Sequence, residues 1–233
     1  MVELHRLGDY IQEVSVRNSD LAVTQLMGIS IDKFFMPSVA NTIGTDLSNY
    51  KVVENGQFAC NLMHVGRDRK IPSALNHGTA IIVSPAYFVF EISSPNIDAE
   101  YLDIVLKRPE FDRNAWFHTD GDVRGGMDKE GMKDLQIPVP SLDEQRIIVK
   151  RYKAIQNRID TNKQIIGRLE NAAHAIYKKM FFEDIDNENL PKGWKKGHLK
   201  DIGCDQSIRI TKEQRSSYPI YLPIDCIPRK TLL

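Results

Sequence analysis

Short apolar runs separated by turn residues fill the first part of the chain. Four of these runs combine apolar and β-prone residues over the length of a strand. They are LAVTQLMGIS (21–30), QFACNLM (57–63), TAIIVS (79–84) and AYFVFEI (86–92). Turn signals such as ENG, NHG and SSPN bound them and favour short strands over helices.

A helical spacing replaces this pattern after the last run. Asp98 is placed to cap a helix over residues 96–111, whose apolar residues share one face. A glycine-rich loop then leads into a short helical turn within residues 118–135. QIPVP (136–140) predicts an extended segment, because residues before proline avoid helical torsion angles. We therefore predict one mixed α/β domain over residues 1–140.

A long, charged helix is predicted directly after QIPVP. Ser141 is a suitable N-cap, and Glu144 three residues later completes a capping box. From Ile148 onward one row of residues is spaced alternately four and three apart, for more than four heptads. This period predicts a coiled coil over residues 141–182, since an ordinary surface helix repeats every ~3.6 residues. The row, named the seam, is Ile148, Tyr152, Ile155, Ile159, Asn162, Ile166, Leu169, Ala173, Ile176 and Met180.

The seam contains one polar amide, at Asn162. A buried seam asparagine typically costs stability and fixes the register and orientation of the paired helices. The alternative to pairing is an amphipathic helix that lies on its own domain.

A boundary follows the long helix. FFEDIDNENLPKGWKKG (181–197) combines acidic residues, a proline and two glycines, which indicates the end of a helix. The next segment repeats the beginning of the chain, because LKDIG (199–203) is similar to LGDYI (7–11). Residues 190–233 therefore predict the start of a second, incomplete copy of the first domain, too short to bury its own core. The expected fold class is α+β.

The composition limits the class of protein but does not indicate a function. The 233 residues are 42% apolar and 27% charged, with a formal net charge of 0, which is ordinary for a soluble globular protein. No apolar run reaches the ~18 residues of a membrane span, and the N-terminus does not resemble a secretory signal. Cys60, Cys204 and Cys226 form no CxxC pair and predict free thiols in a reducing cytoplasm.

The common catalytic motifs are missing from the sequence. There is no GxxxxGKS/T phosphate loop, no HExxH and no GxSxG, and the six histidines show no metal-ligand spacing. GDVRGG (121–126) is rich in glycine but does not fit a dinucleotide fingerprint. We therefore predict no catalytic site and no metal.

Basic residues cluster in two predicted loops. HVGRDRK (64–70) carries Arg67, Arg69 and Lys70, and GDVRGG carries Arg124. Lysine and arginine bind phosphates, arginine reads guanine edges, and asparagine reads adenine, which adds the neighbouring Asn61 as a candidate. The simpler interpretation is that these charged loops are only solvated.

Two segments resemble the specificity subunits of type I restriction–modification systems. DLQIPVPSLDEQRIIVKRY (134–152) is similar to the junction where a target recognition domain of that family ends and a spacer helix begins. LPKGWKKGHLKDIG (190–203) is similar to the opening of such a domain. The matching residues are Ile137, Pro138, Pro140, Glu144, Gln145 and Ile148, then Leu190, Pro191, Gly193, Trp194, Leu199 and Ile202.

The resemblance implies a non-catalytic DNA specificity subunit. In the family each recognition domain reads half of a bipartite DNA site, and the spacer helices set the gap and dock two methyltransferase subunits. A restriction/translocase subunit can join. The resemblance implies no cofactor in this chain, with S-adenosylmethionine, ATP and Mg in partner subunits, and a cytoplasmic protein without a membrane partner. Residues 1–140 would be the recognition domain, 141–182 the coiled-coil spacer helix and 190–233 a partial second recognition domain.

Full-length family members carry two recognition domains and two spacer helices, paired antiparallel, whereas one of each is expected here. One hypothesis is that two copies pair through Ile148–Met180 and read an inverted repeat, since protein symmetry is mirrored in the DNA. Another is a truncated or rearranged product that needs a fuller partner or has no function. The alternative from a different class is a coiled-coil scaffold without DNA binding, which the neutral charge favours.

Overall fold

The computed structural model describes residues 3–38, 44–63, 65–119, 126–186, 188–203 and 211. The chain divides into two compact units, with the boundary between Gln156 and Asn157. Arg124, Cys204, Cys226 and most of the predicted second domain lie outside the described residues. Within the described ranges, every helix is too short or too polar to cross a membrane.

The described residues of the first unit form ten short strands. They are β1 (Leu4–Arg6), β2 (Ile11–Glu13), β3 (Met27–Ile29), β4 (Phe35–Pro37), β5 (Lys51–Val53), β6 (Phe58–Cys60), β7 (Ser73–Leu75), β8 (Ile81–Val83), β9 (Phe88–Ile92) and β10 (Gln136–Pro138). The central antiparallel sheet has the order β2-β9-β6-β7, and three two-stranded sheets pair β1 with β10, β3 with β4 and β5 with β8. Each of the four predicted apolar runs contains a strand, and QIPVP contains β10.

The helices are α1 (Val65–Asp68), α2 (Ala99–Leu106), α3 (Pro109–Phe117), α4 (Lys129–Asp134) and α5 (Leu142–Lys178), and α5 continues as a π-helical turn over Lys179–Glu183. The prediction of one helix over 96–111 is correct at its start, where Asp98 caps α2, and wrong at its end. Pro109 begins a separate helix, because proline disrupts a helix interior but fits the first helical position.

The central sheet is buried on both faces. Phe58 and Phe90 face each other across β6 and β9 with stacked rings, 5.0 Å between centroids, inside the larger core that α2 and α3 cover. Ala59 and Val89, one residue along, point into a second core beside β5 and β8. This alternation follows from the two-residue period of a strand, and it explains why these strands read as continuous apolar runs.

The junction between the domain and α5 forms as the sequence predicts. The Ser141 backbone N–H donates to Glu144 Oε2 over 3.0 Å, and the Glu144 N–H donates to Ser141 Oγ over 3.4 Å, which is the reciprocal pattern of a capping box. β10, just before it, pairs with β1. The mixed fold with one long helix after a sheet domain is thereby confirmed.

The repeated segments share one local conformation. Leu7–Asp9 and Leu199–Asp201 are both short 3₁₀ turns, and the residue after each has φ −118°. Leu7 is fully buried in the core of the first unit, whereas Leu199 is 84% exposed. The turn at Leu199–Asp201 therefore has the backbone conformation of the turn at Leu7–Asp9, but its leucine is not buried.

Candidate nucleic-acid interface

The predicted basic loop is built around α1. Arg67 lies in its last turn with an exposed side chain, and its guanidinium donates to both carboxylate oxygens of Asp68, over 2.7 and 3.0 Å. These bonds raise the pKa of Arg67 above its ordinary value. Arg69 follows the helix with φ +54°, a left-handed conformation that ends α1 and turns the chain.

Arg69 and Lys70 each contact a different element. The Arg69 guanidinium carbon lies 4.8 Å from the centre of the Trp116 ring at the end of α3, a cation–π contact on a half-exposed indole. Lys70 Nζ lies 3.9 Å from Asp32 Oδ1, at the limit of an ion pair. Asn61 is half-buried, and its Oδ1 accepts a hydrogen bond from the Met63 N–H over 3.1 Å.

Lys33 is a candidate residue that no sequence pattern singled out. It lies in the turn between β3 and β4 with φ +66°, and only 4% of it is exposed. Its Nζ donates to Asp112 Oδ1 over 2.7 Å and to the Leu106 carbonyl. Burial lowers the pKa of Lys33, and the bond to Asp112 opposes that effect.

A cleft in the first unit brings several cations together. Lys107 and Arg113 join Arg69, Lys70 and Lys33 around it, against the carboxylates of Asp32 and Asp112. The complete lining is Ile31, Asp32, Lys33, Arg69, Lys70, Lys107, Pro109, Asp112, Arg113 and Tyr152. The cleft, called the basic cleft below, therefore has more positive than negative side chains although the whole chain is neutral.

The basic cleft includes only part of the predicted DNA-binding set. Arg69 and Lys70 line it, whereas Arg67 and Asn61 do not, and Arg124 lies outside the described residues. Lys107 and Arg113 were missed because neither lies in one of the two predicted basic loops. Their side chains approach Asp103 at 2.5 Å and Glu110 at 3.5 Å. Among the described residues no group of three or more potential metal ligands occurs.

The seam of α5 forms a continuous exposed row. Ile155 and Leu169 are each 64% exposed, and Ile166 and Ile176 are 55% and 59% exposed. All ten seam positions fall in the exposed class, including Asn162 and Ala173. A contiguous apolar stripe of this length on a helix is typical of a binding surface.

Residues 83–171 match the family model described as the type I restriction modification DNA specificity domain. This segment runs from β8 into α5 and includes the junction on which the resemblance was based. The match confirms the resemblance at this junction, and the second resembling segment, residues 190–203, lies outside the matched range. No curated protein shows significant sequence similarity to the chain.

Two solved structures have a similar fold. The HsdS subunit from Thermoanaerobacter tengcongensis matches with 17% identity and a TM-score of 0.54, over 83% of this chain and 52% of that one. The S subunit of a type I restriction–modification system from M. genitalium matches with 13% identity and a TM-score of 0.50, over 79% and 46%. The chain thus spans about half the length of the structures it matches.

Proposed function

We propose that this chain, whose residues 83–171 match the family model of the type I restriction modification DNA specificity domain, reads one half of a bipartite DNA site and docks adenine methyltransferase subunits. The observation that carries the proposal is the position of the family match, which covers the junction between the sheet domain and α5. A specificity subunit needs a DNA reader fixed to a spacer, and this junction joins the two.

The basic cleft supports DNA binding by the first unit. Arg69, Lys70 and Arg113 bring positive charge to one surface, and contacts to phosphates supply a large share of the affinity of proteins for DNA. Arg67, Asn61 and Arg124 are proposed to contact bases or phosphates as well. The chemistry would belong to the partner subunits, which would bind S-adenosylmethionine, ATP and Mg.

The seam supports pairing with a second helix. Ile159, Ile166 and Leu169 would be buried between two paired helices, and removing apolar surface from water is favourable by about 25 cal/mol per Å². We propose that two copies pair through Ile148–Met180 and together read an inverted repeat. A longer specificity subunit that supplies the second helix is the alternative partner.

Salt dependence of DNA binding tests the proposal against a scaffold without a DNA role. Fluorescence anisotropy of a labelled duplex should give a log affinity that falls linearly with log salt, with a slope of about −0.9 for each phosphate neutralised. Once the target sequence is known, a competing duplex of unrelated sequence should displace the protein only at a much higher concentration than a competing target duplex. Absence of binding at low salt would reject the DNA role and favour the scaffold.

A further inference from the structure

The carboxamide of Gln145, in the first turn of α5, is fully buried and is bonded to the backbone of the preceding domain. Its Oε1 accepts a hydrogen bond from the Asp98 N–H over 2.8 Å. Its Nε2 donates to the carbonyls of Asn96 over 2.9 Å and of Pro140 over 2.8 Å. A buried polar side chain is tolerated only when its hydrogen bonds are satisfied, and here three backbone groups satisfy it.

These bonds connect two helix starts that are distant in sequence. Asp98 is the N-cap of α2, so Gln145 holds the first turn of α5 against the first turn of α2. Val149 packs on the core one turn later, and Lys153 Nζ lies 3.0 Å from Glu100 in a half-exposed ion pair. Apolar contacts alone would let α5 slide and rotate against the domain, because they have no preferred direction. Three hydrogen bonds with defined directions fix both the position and the rotation of the helix start.

We propose that Gln145 is the positioning residue that fixes the direction in which α5 leaves the recognition domain, and thereby sets the gap between half-sites. This inference rests on the proposed function. A helix rises about 1.5 Å per residue, so a tilt of about 10° at its start moves a point about 50 Å along it by about 9 Å. That displacement exceeds two base-pair steps of about 3.4 Å.

The chain offers a matched pair of variants. Gln145→Met removes the three hydrogen bonds and keeps an unbranched side chain of similar length. Asn76→Leu is the control, because the Asn76 carboxamide is also buried and makes the same pattern of bonds. It donates to the carbonyls of Val53 and Thr79 and accepts from the Gly78 N–H, and none of these partners belongs to α5.

Hydrogen exchange on the full chain tests the anchor without DNA. Gln145→Met should speed exchange at residues 96–98 and 142–156 and leave the β6 and β9 amides protected. Asn76→Leu should speed exchange around residues 76–82 and leave 142–156 unchanged. Equal acceleration of 142–156 in both variants, or no change there in Gln145→Met, would overturn the positioning role.

The proposed effect on the gap between half-sites can be tested with DNA duplexes. The gap in these duplexes is one or two base pairs longer or shorter than in the target. The unmodified chain and Asn76→Leu should bind the duplex with one gap about tenfold more tightly than the others, equivalent to about 1.4 kcal/mol. For Gln145→Met the same ratio of affinities should be less than about threefold. A retained tenfold preference would overturn the inference. Absence of specific binding by the unmodified chain would instead reject the proposed function, and hydrogen exchange would still decide the role of Gln145.

Discussion

Lys33 Nζ lies 2.7 Å from Asp112 Oδ1, and both side chains are buried. The same carboxylate oxygen accepts a hydrogen bond from the Ile71 N–H over 3.0 Å. The pair therefore joins three parts of the basic cleft: the turn between β3 and β4, the end of the α1 loop, and α3. A buried ion pair that connects these segments fixes the positions of Arg69 and Lys70 on the cleft surface.

Removal of one member of this pair should strongly destabilise the first unit. Asp112→Ala leaves the Lys33 ammonium buried without its counter-ion, which typically costs about 3–5 kcal/mol. Urea unfolding followed by circular dichroism would measure the loss. Asp143→Ala, which removes an exposed partner of Arg146, is the control and should change little. Equal stability of the two variants would show that the buried pair is unimportant.

The stability of the domain should fall above pH 9 because of Cys60. Burial raises the pKa of this thiol to about 12 from an ordinary 9.0, so between these values the unfolded chain loses a proton that the folded chain keeps. The free energy of unfolding should therefore decrease with pH by up to about 1.4 kcal/mol per unit from this group. Chemical unfolding between pH 8 and 10.5 should show a shallower decrease in Cys60→Ala, and parallel curves would contradict the assignment.

Arg67→Ala should weaken binding to the specific DNA site and leave the fold intact. The Arg67 side chain is exposed, and its bonds to Asp68 hold the guanidinium in one orientation before DNA binds. Anisotropy titrations with the target and with a duplex altered at one base pair would measure affinity and discrimination. Arg146→Ala removes an exposed arginine from α5 and is the matched control. Unchanged affinity of Arg67→Ala would reject this residue as a contact, and Arg124→Ala can be tested in the same way.

Lys70→Ala should weaken binding to all DNA sequences similarly. A lysine that contacts phosphate releases about one counter-ion, so its loss should reduce the slope of log affinity against log salt by about one. Titrations at several salt concentrations would separate this effect from base reading. An unchanged salt slope would mean that Lys70 does not contact phosphate in the complex.

Ile166→Asp should dissociate a pair of chains that associate through the seam. The substitution places a charge in the buried row between two helices, whereas Gln164→Asp, on the opposite side of the heptad, should leave the pair intact. Sedimentation velocity across a range of concentrations would distinguish the two variants. A folded, stable monomer for the unmodified chain would reject pairing of two copies.

Local signals in the sequence predicted much of the fold. The Asp98 cap, the Ser141 and Glu144 capping box and the apolar runs act within a few residues, so they can be recognised from the sequence. Five strands were missed, namely β1, β2, β4, β5 and β7. β5, for example, is only three residues long and begins with a lysine that is itself buried. Pro109 marked a helix start, although the apolar spacing suggested continuity across it.

The key polar contacts could not be predicted from the sequence. Lysine is almost always exposed, so nothing in ISIDKFF indicated that Lys33 is buried against a carboxylate 79 positions away. Gln145 was recognised only as part of a family motif, because two of the three backbone groups it binds belong to Asn96 and Asp98, which are distant in sequence. In both cases the partner is fixed by the tertiary fold and not by sequence spacing.

A genome-wide map of methylated adenines, in cells with and without this gene, tests the central claim most directly. We expect one bipartite motif to lose methylation when the gene is deleted and to regain it on complementation. An inverted-repeat motif would also support pairing of two copies. A methylation pattern that is identical in both cells would contradict the assignment as a DNA specificity subunit.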